Sequence, residues 1–146
     1  MDQQSDDVVA IRAIIARQFE SMNWTGNTPA DWDCFAGDFL DGATLFPAAR
    51  PAAPQSVSAF VERMKTLSRS ALRSFHEAFL GSDIQVFGNI AVAVAAVEIT
   101  ENNREISRSI EMMLLVKSGG AWRIAAQAWD KAGEDNPIPR RLLMGP

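Results

Sequence analysis

The spacing of apolar residues changes from a helical to a strand period about halfway along the chain. In the first half, apolar residues recur every three or four positions and predict a helix over about residues 6–22. From about residue 74 the period is two, and turn residues recur at regular intervals, which indicates strands joined by tight hairpins. The apolar face of the first helix is formed by Val8, Ile11, Ile15, Phe19 and Met22.

Capping residues predict where three helices begin. Ser5 is a side-chain cap, and the two aspartates after it place carboxylates near the positive end of the helix dipole. Thr28 in TPAD predicts the start of a short second helix that carries Trp32 and Phe35. Ser56 opens a third helix. The apolar face of this helix is formed by Val57, Phe60, Val61, Met64 and Leu67.

A short strand precedes the third helix, and long strands follow it. The strands are predicted at about residues 43–46, 74–87, 90–101, 105–117 and 121–129. The stretch 91–97 is apolar on both faces, whereas a sheet with one solvated face alternates. We therefore expect helices to cover one face and a second subunit to cover the other. Residues 1–146 are predicted to form a single domain, in which 132–146 is an extended tail.

Five segments carry a resemblance to a known superfamily: FESMNW, GDFLDGATLFP, SVSAFVERM, VFGNIAVAVAAVEI and LLVKSGGAWRIAAQAWD. Together they resemble the NTF2-like cone, a cystatin-like α+β fold with three N-terminal helices packed on a long, strongly curved antiparallel sheet. The resemblance covers nearly the whole chain and is strongest to bacterial SnoaL-like and ketosteroid-isomerase-like members. It implies a pocket inside the cone, a homodimer and no cofactor. The superfamily contains isomerases, cyclases, dehydratases, epoxide hydrolases and non-catalytic proteins, so the fold alone does not give the reaction.

The residues that perform ketosteroid isomerisation are replaced by apolar ones. That chemistry needs a carboxylate base, and a tyrosine and a protonated aspartic acid that donate hydrogen bonds to the enolate oxygen. By the resemblance, the base falls at Phe46, the tyrosine at or near Phe19, and the aspartic acid at Met112 or Met113. The chain contains no tyrosine. We therefore expect a protein that is not a standard ketosteroid isomerase, with Phe46 as part of an apolar pocket wall.

Two polar residues are candidates for acid–base catalysis. His76 is the only histidine, and its side chain has an unperturbed pKa near neutrality. Its neighbour Glu77 must point to the opposite face of the strand, so the two cannot face each other. Asp130 ends the last predicted strand, where the resemblance places an acid–base carboxylate in cyclase-like members. The alternatives are a structural histidine at the rim and an aspartate that begins a polar turn.

A third polar position interrupts an apolar strand and needs a partner if it is buried. Glu98 lies in the stretch AVEIT, and Arg108 lies across the predicted turn on the next strand. Opposite charges at paired strand positions attract each other. We expect an ion pair between them, with polarity inside the pocket as the second possibility.

Aromatic and methionine side chains supply the material for an apolar pocket. Most should belong to the core, but some must line the cavity that the cone encloses. A wall of Trp, Phe and Met with few polar groups fits a small, flat, apolar molecule. The candidate ligand-binding residues are Phe19, Trp32, Phe35, Phe46, Phe60, Met64, Met112 and Trp129.

Composition and charge exclude several other classes of function. With 146 residues and a net charge of −4, the chain has one domain's length and lacks a basic cluster for nucleic acid. One cysteine and one histidine provide no metal-ligand spacing. The longest apolar stretch is about half of the ~20 residues that a membrane helix needs. The acidic N-terminus does not resemble a secretory signal, and the lone cysteine suits a reducing compartment, so we expect a cytoplasmic protein.

These observations leave two hypotheses. The first is a SnoaL-like enzyme that carries out cyclisation, isomerisation or dehydration on an apolar substrate, with His76 and Asp130 as the acid–base pair. The second is a non-catalytic domain of the same fold that binds a ligand or dimerises. Side chains of His76 and Asp130 that converge on one cavity would favour the enzyme, and side chains in solvent would favour the binding domain.

Overall fold

The computed structural model describes residues 2–146, in which helices precede most of a curved sheet. The helices are α1 (Gln3–Ser21), α2 (Trp32–Gly37) and α3 (Val57–Ser68), and a short 3₁₀ helix spans Arg140–Leu143. The strands are β1 (Phe39–Phe46), β2 (Gln55–Ser56), β3 (Phe75–Phe87), β4 (Ile90–Glu101), β5 (Glu105–Ser118) and β6 (Ala121–Lys131). The predicted α+β architecture is confirmed.

The helix starts differ from the prediction at two of three positions. Asp2 caps α1 in place of Ser5, and Asp31 caps α2 in place of Thr28. In both cases the aspartate side chain accepts a hydrogen bond from the backbone three residues on, because a carboxylate reaches this N–H as well as a hydroxyl does. Ser56 caps α3 as predicted.

Within residues 2–146 the strands form one sheet in the order β2-β1-β6-β5-β4-β3. The long strands β3 to β6 pair as antiparallel hairpins, as predicted. By contrast, β1 runs parallel to β6, so the sheet is mixed at this edge. The register shifts between Phe39 and Thr44, between Phe79 and Gly81, and in β5 after Leu114. Such irregularities bend strands, and the sheet wraps around the helices.

The core lies between α1 and the concave face of the sheet. Its most deeply buried side chains include Ile11, Ile15 and Phe19 of α1, which face Leu115 and Ile124 of the sheet. The predicted apolar stripe of α1 is therefore the stripe that is buried. Among the described helices, none combines the length and the apolar composition that a membrane crossing requires.

A buried polar cluster around Asp7 fixes the N-terminal part of α1 against the sheet. The Asp7 carboxylate accepts hydrogen bonds from Trp122 Nε1 and Lys117 Nζ, both at 2.9 Å, and from Gln3 Nε2 at 3.1 Å. The hydrogen bonds from Trp122 and Lys117 lower the pKa of Asp7. The carboxylate thus holds α1 in the position from which its second half can line the cavity described below.

The C-terminal tail folds back onto the convex face of its own chain. The 3₁₀ helix contacts β3 and β4, and Leu142 is fully buried there. The Gly145 N–H donates a hydrogen bond to the Leu80 carbonyl at 3.1 Å. A Cβ atom at Gly81 would collide with the backbone carbonyl of Leu142, so the close approach requires glycine. Part of the apolar β4 surface is therefore covered within the chain.

Another part of the convex face is apolar and exposed to solvent. Register places Val94, Met112, Ala128 and Phe46 in one row across four neighbouring strands. Val92 and Leu114 form part of the next row. Met112 is 57% exposed, and none of these side chains is charged. We call this surface the outer patch: Phe46, Val92, Val94, Met112, Leu114 and Ala128.

Candidate functional site

A cavity of about 280 Å³ opens between the helices and the concave face of the sheet. Its helix side is apolar, because α1 and α3 turn their buried stripes toward it. Ring contacts order this wall: Phe60 stacks on Phe35 at 5.5 Å between ring centroids and meets Trp129 edge-on at the same distance. The main residues of this wall are Phe19, Met22, Phe35, Phe60, Met64 and Leu67.

The sheet side of the same cavity carries the polar groups. In β5, alternate residues point inward, so Ser107, Ser109 and Glu111 line the cavity in one column. Gln127 lines it from the neighbouring strand β6, and Glu77 lines it from β3, on the far side of β4. The cavity is therefore amphipathic, with polar groups that lie mainly on the sheet and apolar groups that come from both the helices and the sheet.

Glu111 lies in a network of buried amides. Gln127 Nε2 donates to Glu111 Oε1, and Gln127 and Gln18 exchange two amide hydrogen bonds of 2.8 Å. The Glu111 residue is only 6% exposed. Burial raises its pKa to about 8, against the opposing effect of the hydrogen bond from Gln127. Glu111 therefore holds a proton over much of the neutral range.

Glu77 is buried without a comparable partner. The residue is 7% exposed, and its Oε1 has no hydrogen-bond partner within residues 2–146. Its backbone is fixed, because the Glu77 N–H donates to Asn23 Oδ1 at 2.7 Å. Burial, and secondly the charge of Glu111, raise the pKa of Glu77 well above its ordinary value. An unpaired buried carboxyl that lines a cavity is available to a ligand.

Charged side chains of both signs line the exposed part of the cavity. Arg63 of α3 and Lys131 of β6 are exposed, and Glu101 of β4 is half-buried. None of the three takes part in an ion pair within the described chain. The cavity thus has carboxyls in its interior and a rim of mixed charge.

Comparison with known proteins identifies the architecture. No protein-family model matches the chain, and no curated protein matches it significantly. An NTF2-like protein of unknown function from Pseudomonas putida KT2440 matches with a TM-score of 0.71 and 14% identity, over 90% of this chain and 92% of that one. A cystatin-like-fold protein from Nostoc punctiforme PCC 73102 gives 0.71 and 12%, over 92% and 97%. The chain has the NTF2-like fold.

One similar structure is a named enzyme. Hexachlorocyclohexane dehydrochlorinase LinA-type3 from Novosphingobium barchaimii LL02 matches with a TM-score of 0.72 and 9% identity, over 87% of each chain. At such identities the similarity establishes a shared NTF2-like fold and not a shared reaction.

The NTF2-like cone brings five of the predicted ligand-binding residues onto the cavity wall. They are Phe19, Phe35, Phe60, Met64 and Trp129. All five lie on the inward faces of α1, α2, α3 and β6, where apolar periodicity predicts burial. Sequence periodicity was a sufficient guide at these positions.

Three predicted ligand-binding residues lie elsewhere in the cone. Phe46 is 38% exposed on the convex face, because alternation along β1 turns Leu45 inward. Met112 is on the convex face for the same reason, beside the inward Glu111. Trp32 packs on Trp24 at 6.2 Å between ring centroids and is not among the residues that line the cavity. The expectation that these three line the cavity is therefore corrected.

The predicted acid–base pair does not converge on the cavity. His76 is exposed on β3, since the inward position of this dipeptide belongs to Glu77. Asp130 is exposed on β6, and its Oδ1 accepts a hydrogen bond from the Lys131 backbone N–H at 2.9 Å. Asp130 is paired with Ile110 of β5, so it is a surface residue of the strand and does not begin a turn. Neither side chain lines the cavity.

Glu98 and Arg108 form the expected ion pair. They are directly paired across β4 and β5, and Arg108 Nε donates to Glu98 Oε2 at 3.1 Å. Both side chains are partly exposed, so the interaction adds little to stability. Glu98 therefore contributes to the sheet surface and not to the cavity.

Sequence reasoning missed the two carboxyls that the cone encloses. Glu77 lies two residues from both Phe75 and Phe79, and Glu111 lies two residues from Met113. Since alternate strand residues share a face, this spacing from apolar residues was an available signal. Within residues 2–146, no group of three or more His, Cys, Asp or Glu side chains could hold a metal ion.

Proposed function

We propose that the protein is a SnoaL-like enzyme that transfers a proton on an apolar substrate inside the cone. The observation that carries the proposal is the pair of buried carboxyls, Glu77 and Glu111, in a cavity with aromatic walls. Burial raises the pKa of both groups, and carboxyls shifted toward neutrality are suited to donate and accept protons. Isomerisation, cyclisation and dehydration all require such a transfer.

The two carboxyls are proposed to have different roles. Gln127 donates to Glu111 Oε1 and stabilises the ionised form of this carboxyl, which leaves Glu111 Oε2 to accept a proton. Burial raises the pKa of Glu77 without a hydrogen bond that opposes it, so Glu111 is the group that ionises first and Glu77 keeps its proton. Glu111 would then remove a proton from carbon while the protonated Glu77 donates a hydrogen bond to the developing charge on oxygen.

Hydrogen exchange of a neutral ketone tests this proposal. We expect the protein to accelerate exchange of the α-hydrogens of 2-tetralone in D₂O, followed by proton NMR, because this bicyclic ketone has one oxygen and a hydrocarbon body. Glu77→Gln and Glu111→Gln should each reduce the catalysed rate about 100-fold or more, which is the usual contribution of a positioned acid or base. The Gln side chains keep the shape but cannot transfer the proton.

Glu105→Gln is the matched control, since Glu105 is an exposed carboxyl on the same strand as Glu111. This variant should keep the full exchange rate. Exchange at the buffer rate with the unmodified protein, together with saturable ketone binding by calorimetry, would contradict the enzyme and favour the second candidate.

The second candidate function is a non-catalytic ligand-binding or dimerisation domain. The observation that favours it is the placement of His76 and Asp130 in solvent, away from the cavity. The apolar residues at the positions that correspond to the catalytic groups of ketosteroid isomerase also favour a non-catalytic domain. Under this alternative the buried carboxyls would serve only to hold a ligand in place.

We also propose that the protein is a homodimer that associates through the outer patch. The patch extends over β1, β6, β5 and β4 and has no charged member, so two copies can face each other without like-charge repulsion. Exposed apolar surface of this kind commonly marks an association site. The 3₁₀ helix borders the patch on the β3 side, where Arg141 pairs with Asp83 at 3.4 Å.

Met112→Lys should convert the dimer to a monomer in light scattering. A lysine here would bury a charge at the centre of the interface, at a cost of several kcal/mol unless it stays solvated. Val9→Lys is the control, because Val9 is an exposed apolar residue of α1 outside the patch. An unmodified protein that is monomeric at micromolar concentration would overturn the dimer.

A further inference from the structure

The interior of the cavity contains acidic groups without basic ones. Glu77 and Glu111 are both nearly fully buried on the sheet wall, and neither forms an ion pair within the described residues. The basic residues that line the cavity, Arg63 and Lys131, are exposed to solvent. A buried carboxylate without a partner is costly, so the site favours a ligand that brings a positive charge.

We propose that the ligand of this cavity is a hydrophobic molecule that carries a protonated amine, with the ammonium group bound at Glu77. The inference goes beyond the proposed function, because it concerns the binding of a cation at Glu77 and does not depend on the reaction. Glu77 is the stronger partner because its Oε1 has no hydrogen bond, whereas Glu111 Oε1 already accepts one from Gln127. A metal ion is a poor alternative, since residues 2–146 provide no cluster of three ligands.

The aromatic wall supports the same ligand chemistry. Phe19, Phe60, Phe75 and Trp129 line the cavity opposite or beside the carboxyls. Ring faces attract ammonium groups when water is excluded, and the rings also accept the hydrocarbon part of the ligand. An amine on a ring-containing framework would therefore make favourable contacts with both sides of the cavity.

The pH dependence of affinity should differ between an amine and an uncharged alcohol of the same shape. If Glu77 is protonated in the empty cavity, an ammonium group can bind only when Glu77 loses its proton, so affinity for an amine should rise with pH. An alcohol of the same shape needs no ionised carboxyl, so its affinity should not rise. The titratable side chains on the cavity wall are Arg63 of α3, Glu77 of β3, Glu101 of β4, Glu111 of β5 and Lys131 of β6.

Calorimetry with 2-aminotetralin and 2-tetralol tests the proposal, because the two probes share one framework. Between pH 6 and pH 8, the Kd of the amine should fall as the pH rises, by up to tenfold per pH unit with release of up to one proton, as linkage requires. The Kd of the alcohol should not fall. Glu77→Gln should weaken amine binding at pH 8 at least tenfold and leave alcohol binding within about twofold.

Glu105→Gln is the control, because it removes an exposed carboxyl of β5 that does not line the cavity and keeps both carboxyls of the interior. Equal Kd values for amine and alcohol with the same pH dependence would overturn the proposal, as would an amine affinity that Glu77→Gln leaves unchanged. If Glu77→Gln fails to fold, the pH dependence of amine and alcohol binding to the unmodified protein still tests the proposal. If the protein catalyses hydrogen exchange of the ketone but binds the amine no better than the alcohol, this inference alone is rejected. If it binds the amine as expected but does not catalyse exchange, only the proposed enzymatic function is rejected.

Discussion

Between pH 5 and pH 8 the protein should lose about 3 to 4 kcal/mol of its free energy of unfolding through Glu111 alone. In the unfolded chain this carboxyl ionises near its ordinary pKa of 4.5, whereas burial raises the pKa in the folded protein to about 8. Over this window the folded state keeps a proton that the unfolded state has lost, so stability falls as pH rises and levels off above the folded pKa. Glu77 acts in the same direction.

The measurement is urea unfolding at a series of pH values and constant ionic strength. Glu111→Gln cannot ionise and still offers an oxygen to Gln127, so its stability should decline less steeply by roughly 1 kcal/mol per pH unit. Glu105→Gln, on the surface of the same strand, should behave as the unmodified protein. Asp7 does not interfere, because its lowered pKa places its titration below this window. Identical slopes for Glu111→Gln and the unmodified protein would show that Glu111 is solvated.

The fold could be predicted from the sequence because its long elements carry strong periodic signals. The helices α1 and α3 have 19 and 12 residues, and each of the four long strands has 11 or more, so the alternation of apolar and polar residues extends over several repeats. The parallel pairing of β1 with β6 was not predicted, because β1 and β6 are far apart in sequence and their contact depends on the whole fold. Local pattern contains no information about such a pair.

The candidate site was harder to predict because it depends on which way single side chains point. In β1 the residues around Gly42, where φ is +79°, interrupt the regular pairing with β6. Alternation counted from the first residue of the strand therefore does not predict which face of the sheet Phe46 occupies. In β5 the apolar pair Met112 and Met113 hides the alternation that would have placed Glu111 inside. A shift of one residue exchanges a cavity side chain for a surface one.

The tail that covers β3 and β4 provides the second large effect. Gly81→Ala should displace the 3₁₀ helix, because the new Cβ would collide with the Leu142 carbonyl, which belongs to backbone and cannot rotate away. The fully buried Leu142 side chain would then return to solvent, and loss of this burial costs about 2 kcal/mol. Gly26→Ala is the control, because a Cβ there meets no heavy atom within 4 Å.

A double-mutant cycle shows whether this loss acts through the tail. Leu142→Ala alone should cost about 2 kcal/mol or more, as for other fully buried leucines. If Gly81→Ala acts by releasing the tail, the double variant should be about as stable as Gly81→Ala alone, because the same contact cannot be lost twice. Urea unfolding of the four proteins measures the coupling. Additive losses would show that the alanine disturbs the β3–β4 pairing itself, and that Leu142 remains docked when position 81 changes.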